Sequence, residues 1–155
     1  MVKAIEEARI SSSLGQYALA AVIVGPDGKI VSVARTTLHG SNDPTAHAEV
    51  NAIREACQAR HDRFLVGCWL YTTLEPCPMC AAAAIWAKME GIVFGATEDD
   101  ALDFAKRTPE RKFTWRQINV PSRDIIDQAE PKLQLVEGFM RDECNQLFEF
   151  GEHVT

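Results

Sequence analysis

The sequence predicts an α/β sandwich, in which helices cover a sheet that contains at least one parallel crossover. Three observations support this fold class: a chain of 155 residues, a hydrophobic content of 46%, and candidate elements in the order β-β-α-β-α-β. A chain of this length builds one ordinary domain with a substantial core. Residues 1–155 are therefore predicted to form a single domain.

The first two strands are predicted to form a hairpin, followed by a helix. Residues 18–24 are a short apolar run that ends at the turn residues 25–28, and residues 29–34 are rich in β-branched side chains. After a cluster of turn residues at 40–44, apolar side chains recur at the spacing of one helix face, at Ala46, Val50, Ile53 and Cys57. The helix is therefore predicted to begin near Thr45.

A strand, a helix and a further strand are predicted over residues 66–96. Residues 66–73 are mainly apolar, aromatic or threonine and stop just before Pro76, as a buried strand does before a change of element. Pro78 suits a first helical turn, residues 79–89 contain strong helix formers, and residues 92–96 are again strand-like. These elements supply the parallel crossover.

The last third of the chain is predicted to contain three helices and an edge strand. Residues 99–106 and 122–129 have helical patterns, residues 132–136 suit an edge strand, and residues 139–150 suit a final amphipathic helix. We interpret this tail as core packing together with a contact between subunits.

Charge and cysteine content narrow the expected partners and compartment. With 22 acidic against 16 basic side chains, the net charge is −6, whereas binding of a polyanion needs Lys and Arg concentrated on one surface. Nucleic acid is therefore not the expected partner. The charged first residues do not resemble a signal peptide, and no apolar run approaches the roughly 18 residues that span a bilayer. Together with an odd number of cysteines, five, this predicts a cytoplasmic protein without a membrane partner.

Two short motifs place metal-binding side chains at the predicted starts of two helices. His47 and Glu49 begin one helix, and Cys77 and Cys80 begin another. Cysteines three residues apart lie on the same side of a helix and can hold one ion together. One imidazole and two thiolates suit zinc and leave one of its four tetrahedral positions for water. The sequence therefore predicts one catalytic Zn²⁺ held by His47, Cys77 and Cys80.

Glu49 is predicted to act as a general base and acid rather than as a ligand. Residues two apart on a helix point about 200° from each other, so His47 and Glu49 converge only if the ion lies off the helix N-terminus. A carboxylate there can take a proton from water activated by zinc and return it to the substrate. Such a site performs hydrolytic deamination with release of ammonia.

Other interpretations of these and neighbouring residues are less favoured. A structural zinc site lacks a fourth ligand, and a redox Cys-x-x-Cys would leave His47 and Glu49 unexplained. Glu75 is interpreted either as orienting a ligand or as a cap on the solvent side. The acidic run 98–100 is interpreted as a solvated helix start. The remaining cysteines are expected in the core and the remaining histidines on the surface or in loops: Cys57, Cys68, Cys144, His39, His61 and His153.

The two motifs resemble those of the cytidine-deaminase-like superfamily. The residues that carry the resemblance are the runs Asn-Asp-Pro-Thr-Ala-His-Ala-Glu at 42–49 and Leu-Tyr-Thr-Thr-Leu-Glu-Pro-Cys-Pro-Met-Cys at 70–80. They are most similar to the branch of guanine deaminases, fungal-type cytosine deaminases and tRNA adenosine deaminases, and the likeness covers about residues 18–96. The resemblance implies a three-layer α/β/α sandwich with a five-stranded mixed sheet, one zinc ion and a homodimer.

The resemblance also suggests substrate contacts and a substrate. Trp86 falls where guanine deaminases commonly carry Trp, which favours guanine or a similar base such as a pterin or triazine. The chain departs from the branch at Leu19, within a position usually occupied by Pro-Phe-Gly, and at Thr36, usually a base-contacting Asn. Thr36, Ala48, Trp86, Leu19 and Asp103 are the expected substrate-binding residues, and Asp100, Phe148 and Phe150 are further candidates in the tail.

Three alternatives to guanine remain open from the sequence. Cytosine or a nucleoside is the nearest alternative, and adenosine in tRNA is a further one. The final helix is mainly acidic, however, whereas a tRNA substrate requires basic residues for its phosphates. A protein of a different class, an inactive zinc-binding subunit, is disfavoured because it has no reason to retain Glu49 beside an open zinc position.

Overall fold

The computed structural model describes residues 1–109 and 118–150. In chain order, the elements are α1 (Val2–Ser13), β1 (Ala20–Val24), β2 (Ile30–Arg35), α2 (Leu38–Ser41), α3 (Ala48–Arg60), β3 (Trp69–Leu74), α4 (Pro78–Trp86), β4 (Gly91–Ala96), α5 (Glu98–Arg107), α6 (Ser122–Ile126), β5 (Gln134–Val136), α7 (Arg141–Asn145) and a 3₁₀ turn (Gln146–Phe150). The strands form one five-stranded sheet in the order β2-β1-β3-β4-β5.

The sheet is mixed, as the sequence resemblance implies. Strand β1 pairs antiparallel with both β2 and β3, whereas β3, β4 and β5 run parallel to one another. The parallel pair β3 and β4 is joined through α4, which is the predicted crossover. Because β3 and β4 are parallel, the loops that follow their carboxyl ends lie at the same edge of the sheet.

Helices cover both faces of the sheet and enclose two cores. One core joins the sheet to α3, α4 and α6 through small side chains such as Ala52 and Ala84. The other joins it to α1, α7 and the 3₁₀ turn through Ile5, Cys144 and Leu147. Gly95 lets α7 approach β4, because a side-chain carbon at this position would overlap the Cys144 sulfur. The result is the three-layer α/β/α sandwich that the motifs suggested.

The structure contains one helix that was not predicted, and it differs from the predicted bounds of two others. Helix α1 was not predicted, although its buried residues Ala4, Ile5, Ala8 and Ser11 have helical spacing. Helix α3 begins three residues later than expected because His47 is still extended. The predicted final helix over 139–150 is wrong as one element: Met140 is in the left-handed conformation, and α7 changes to a 3₁₀ turn after Asn145. His153 lies outside the described residues.

Among the helices described in residues 1–109 and 118–150, none is both long and apolar enough to cross a membrane. All five cysteines, each of which lies in the described part of the chain, are free thiols. Cys68 and Cys144 are buried, as expected of core residues, and Cys57 is half-buried.

The start of α5 is fixed by a reciprocal cap and an ion pair. The Thr97 hydroxyl accepts a hydrogen bond from the Asp100 backbone N–H, and the Asp100 carboxylate accepts one from the Thr97 backbone N–H. Arg141 of α7 donates two further hydrogen bonds of 2.8 Å to the two Asp100 oxygens. Asp100 is therefore a structural residue that ties α5 to α7, and the structure does not place it at a substrate site.

Replacing Asp100 with Ala is expected to lower the free energy of unfolding by about 1–2 kcal/mol, because the cap and the bidentate ion pair are both lost. Urea denaturation would measure the loss. The neighbouring exposed Asp99 is the matched control, and Asp99→Ala should cost about 0.5 kcal/mol through the helix dipole alone. Equal losses in the two variants would contradict the assigned role of Asp100.

The Asp100 contribution is also expected to depend on pH. Hydrogen bonds from Arg141 hold the pKa of Asp100 at about 2, below its ordinary value of 3.8. Because the folded pKa is the lower one, the stabilisation is complete above the unfolded pKa and is lost as the pH falls towards 2. The difference in unfolding free energy between wild type and Asp100→Ala should therefore shrink from about pH 5 to pH 2. A constant difference would show that the ion pair contributes nothing.

Candidate active site

The N-terminal ends of α3 and α4 meet at one point. His47 and Cys77 are the residues that immediately precede the two helices, and both have extended backbone conformations. Pro78 occupies the first turn of α4, where its missing N–H costs no hydrogen bond. The extended residue turns each side chain off the end of its helix, so the two motifs converge end-on, as the spacing of His47 and Glu49 predicts.

The imidazole of His47 and the two thiols form a compact donor set. The Cys77 and Cys80 sulfurs are 3.6 Å apart, and His47 Nδ1 lies 3.8 Å from Cys77 Sγ and 3.6 Å from Cys80 Sγ. These are the three side chains of the described residues whose donor atoms lie within 4.8 Å of one another. The set contains one nitrogen and two sulfur donors. His47 and Cys77 are half-buried, and Cys80 is buried.

The spacing of these donors fits a tetrahedral zinc ion. With Zn–S bonds of about 2.3 Å and a Zn–N bond of about 2.0 Å, tetrahedral angles require sulfurs about 3.8 Å apart and sulfur–nitrogen separations of about 3.5 Å. The observed separations of 3.6–3.8 Å agree with these values. Softer thiolate and imidazole ligands also favour zinc over magnesium or calcium. His47, Cys77 and Cys80 are therefore the residues that could hold one Zn²⁺.

The two thiols differ in their readiness to ionise. A hydrogen bond from Cys80, opposed by burial, holds the pKa of Cys77 at about 4. The same hydrogen bond and the burial of Cys80 raise the pKa of the Cys80 thiol. Cys77 is therefore the thiol that ionises more readily. A bound divalent ion would make both sulfurs thiolates.

The Glu49 carboxyl lies beside the donor set but is not part of it. Its side chain is buried, with only 7% of the residue exposed. One oxygen accepts a hydrogen bond from the Thr72 hydroxyl at 3.2 Å, and the other lies 3.6 Å from the Cys80 sulfur. Burial raises the pKa of Glu49, so the protonated acid is more accessible than for a carboxyl in water. Such a group can both accept and return a proton.

A cavity of about 530 Å³ opens onto this cluster. His47, Glu49 and Cys77 form part of its wall, and the predicted contacts Leu19, Thr36 and Ala48 also line it. Thr36 is buried, and its hydroxyl lies 3.4 Å from the Ala46 carbonyl oxygen, to which it donates. These three predicted positions are therefore next to the donor set.

The structure does not bring Trp86 or Asp103 to this cavity. Trp86 is the last residue of α4, is 81% exposed and borders a different groove. Six residues after Cys80 the helix has risen about 9 Å and turned by about 240°, which carries Trp86 away from the donor set. Asp103 pairs with Lys106 and borders a separate depression together with Phe148. Phe150 is half exposed, and the Arg9 guanidinium lies over its ring, 5.5 Å from the ring centroid.

Several cavity residues were not predicted as site residues. Tyr17 and His39 contribute two aromatic rings whose centroids are 5.4 Å apart, and Asn42 and Asp43 line the cavity after the short helix α2. Glu98 also lines it, although the sequence suggested only a solvated helix start. The turn cluster at 40–44, directly before His47, is the one sequence signal that could have indicated part of this wall.

Glu75 connects three segments at the edge of the cavity. One of its carboxylate oxygens accepts hydrogen bonds from the backbone N–H and the hydroxyl of Ser122, each 3.0 Å long. The other accepts from the backbone N–H of Glu98 at 3.1 Å. Glu75 therefore caps α5 and α6 from the loop that carries Cys77. Of its two interpretations, the structure supports capping, although the caps are internal rather than on the solvent side.

Residues 1–96 match the family model described as the cytidine and deoxycytidylate deaminase zinc-binding region. The matched segment contains His47, Glu49, Cys77 and Cys80 and ends with strand β4. It therefore covers more than half of the chain and the whole donor set.

Curated relatives of the chain include enzymes with different substrates. The chain is 42% identical to the tRNA-specific adenosine deaminase of Bacillus subtilis over 147 residues, which cover 95% of this chain and 83% of that protein. It is 41% identical to the Aquifex aeolicus tRNA-specific adenosine deaminase over 61% of this chain, and 41% identical to the B. subtilis guanine deaminase over 67%. These two matches span 62% and 64% of the relatives' own lengths, less than two thirds.

A solved structure supports the same fold over almost the whole chain. It comes from biochemical and structural studies of A-to-I editing by tRNA:A34 deaminases at the wobble position of transfer RNA. The two chains are 30% identical, with a TM-score of 0.72 and coverage of 95% of this chain and 96% of the other.

Proposed function

Because the chain belongs to the family of zinc-binding cytidine and deoxycytidylate deaminases, we propose that residues 1–155 form one domain that hydrolytically deaminates a nucleobase-like heterocycle. The reaction replaces an exocyclic amino group with oxygen from water and releases ammonia. The observation that carries this proposal is the buried Glu49 carboxyl beside His47, Cys77 and Cys80 at one end of an open cavity.

In the proposed reaction the ion activates water, and one carboxyl group transfers the protons. When held by His47, Cys77 and Cys80, Zn²⁺ supplies Lewis-acid chemistry that lowers the pKa of water to about 7. Glu49 accepts the proton released by that water and donates it to the ring nitrogen next to the reacting carbon. It then transfers the second proton of the water to the departing amino group, so that water and substrate give a ring carbonyl and ammonia.

We propose a small free base, guanine or a guanine-like amino heterocycle, as the substrate. Three carboxylates line the cavity in addition to Glu49: Asp43, Glu75 and Glu98. Within residues 1–109 and 118–150, no Lys or Arg lines it. A wall of this charge favours neutral or donor-rich heterocycles and opposes the phosphates of a polynucleotide.

Adenosine in tRNA is the second candidate substrate. It is favoured by the 42% identity to the B. subtilis tRNA-specific adenosine deaminase, which extends over 95% of this chain. A stem-loop substrate would need basic residues near the cavity mouth for its phosphates. Salt therefore distinguishes the two candidate substrates. Activity on a tRNA stem-loop should fall steeply as the salt concentration rises, whereas activity on a small base should change little.

Ammonia release from a substrate panel tests the proposal. The zinc-loaded protein would be assayed with guanine, cytosine, a pterin, adenosine and a tRNA anticodon stem-loop. Glu49→Gln is the blank, and Glu55→Gln, an exposed carboxylate on the same helix, is the matched control. We expect release from guanine or the pterin. Release only from the stem-loop would overturn the small-base proposal, and no release from any substrate would overturn the deaminase proposal.

We also propose that the protein is a homodimer. The exposed Trp86 and Val66 border one groove with Phe64, and soluble monomers rarely leave large apolar side chains grouped in this way. Light scattering should give about twice the chain mass of 17.2 kDa, and a monomeric mass at assay concentration would refute the proposal.

A further inference from the structure

We propose that Glu98 is a specificity-determining residue that accepts a hydrogen bond from a ring N–H next to the reacting carbon. This inference rests on the proposed function, because it concerns the substrate of the same cavity. It assigns the site a preference for lactam-type bases, which carry such an N–H, over rings that lack it.

The position of Glu98 makes it part of the wall next to the donor set. It is the first residue of α5, two residues after the end of strand β4, and lines the cavity together with Cys77 and Glu75. Because β3 and β4 are parallel, the chain after β4 emerges at the same sheet edge as the loop that carries Cys77. The fold therefore brings Glu98 and Cys77 to the same sheet edge, where both line the cavity.

The backbone around Glu98 is held in place independently of any ligand. Its N–H donates to Glu75 at 3.1 Å, and the reciprocal cap between Thr97 and Asp100 fixes the same helical turn. Arg141 anchors Asp100 from α7. A side chain on such a support can be oriented before substrate binds, which is a requirement for strong discrimination.

The carboxylate of Glu98 has room to accept a hydrogen bond. Within the described residues, no side chain donates a hydrogen bond to it, and it is only partly exposed. Partial burial, together with the nearby charges of Glu75 and Asp99, raises the pKa of Glu98. A substrate N–H that reached this oxygen would replace lost water and form a charge-assisted hydrogen bond.

Glu49 and Glu98 both line the cavity that contains the thiol pair, and they come from different elements, α3 and α5. Glu49 is 3.6 Å from the Cys80 sulfur, whereas Glu98 enters the cavity at the sheet edge where the loop that carries Cys77 also emerges. A ring carbon that reacts here is flanked by two ring atoms. In guanine these are N3, which lacks a proton and suits Glu49 as the donor, and N1–H, which suits Glu98 as the acceptor. 2-Aminopurine has the same amino group but no N1–H.

Comparing the binding of guanine and 2-aminopurine tests whether Glu98 recognises N1–H, and it does not require turnover. In the zinc-loaded Glu49→Gln background, 2-aminopurine fluorescence would give its Kd, and displacement by guanine would give the second Kd. Adding Glu98→Ala should raise the Kd of guanine about 10- to 100-fold more than that of 2-aminopurine. Glu98→Asp should retain part of the preference, and Glu143→Ala, which removes an exposed carboxylate of α7 outside the cavity, should leave it unchanged.

The result that would overturn the inference is an equal change in both Kd values, or no binding of guanine by the Glu49→Gln protein. Zinc content and the thermal unfolding temperature of each variant identify a general structural defect, which would affect both ligands alike. Failure of the proposed function is a separate outcome, because it appears as absent ammonia release from the wild-type protein in the substrate panel.

Discussion

Glu49→Gln is expected to lower kcat by about 10³-fold or more while zinc content and fold remain as in the wild type. General acid–base catalysis by a positioned carboxyl contributes on the order of 10²- to 10⁴-fold, and Glu49 is assigned every proton transfer of the reaction. An amide of the same size cannot accept a proton from water near neutral pH. The variant should therefore fail in chemistry and not in binding, so KM should change much less than kcat.

The surroundings of Glu49 explain why Gln is the informative replacement. In the wild type, the Thr72 hydroxyl donates a hydrogen bond of 3.2 Å to Glu49. The amide oxygen of Gln can still accept this hydrogen bond, and its amide nitrogen would face the Cys80 sulfur. Gln also removes the cost of burying a charge, because burial already disfavours the carboxylate form. We therefore expect the thermal unfolding temperature to be unchanged or slightly raised.

Glu55→Gln provides the matched control for this prediction. It makes the same chemical change on the exposed side of α3, six residues along the helix, and should retain wild-type kcat. Turnover within a factor of about ten in Glu49→Gln would remove Glu49 from the mechanism, since that loss is smaller than a general acid–base contribution. Loss of zinc from this variant would instead assign Glu49 a role as a ligand.

The donor set could be predicted from sequence because each motif acts locally. A Cys-x-x-Cys pair at a helix start has the same geometry in any fold, and the spacing of His47 and Glu49 already required an ion beyond the helix end. The alternation of strands and helices also predicted a parallel crossover. Both features depend on neighbours within a few residues or on the order of elements.

The cavity wall could not be predicted in the same way. Tyr17, His39 and Glu98 come from three separated segments, and only the packed sheet brings them to one cavity. Trp86 shows the opposite error, because a resemblance in position along α4 did not specify which side of the helix faces the site. Side-chain direction at a helix end depends on small differences in phase that composition does not reveal.

The tail shows a further limit of periodicity. Its apolar spacing predicted one helix over 139–150, yet a left-handed Met140 delays the start and the last turn tightens to 3₁₀ geometry. Both deviations serve packing: Cys144 fits against Gly95, and Leu147 reaches the core beside α1. Tertiary contacts therefore override the local helical preference in this segment.

Cys80→Ala is expected to lose both zinc and activity, and Cys77→Ala should behave alike. Within residues 1–109 and 118–150, two thiols and one imidazole form the donor set, so one deletion leaves two ligands for an ion that prefers four. Elemental analysis after dialysis should give about one zinc per wild-type chain and far less than one in either variant. Ammonia release should fall to the level of the Glu49→Gln blank.

The variants must also be distinguished from proteins that merely misfold. In the wild type, zinc should raise the unfolding temperature, because an ion bound only by the folded state stabilises it by about 2.7 kcal/mol at 100 times Kd. Cys80→Ala should unfold cooperatively without responding to zinc. Cys57→Ala removes a half-buried thiol from α3 and should retain both zinc and the thermal response. A full zinc complement in Cys80→Ala would show that this sulfur, although 3.6 Å from both other donors, is not a ligand.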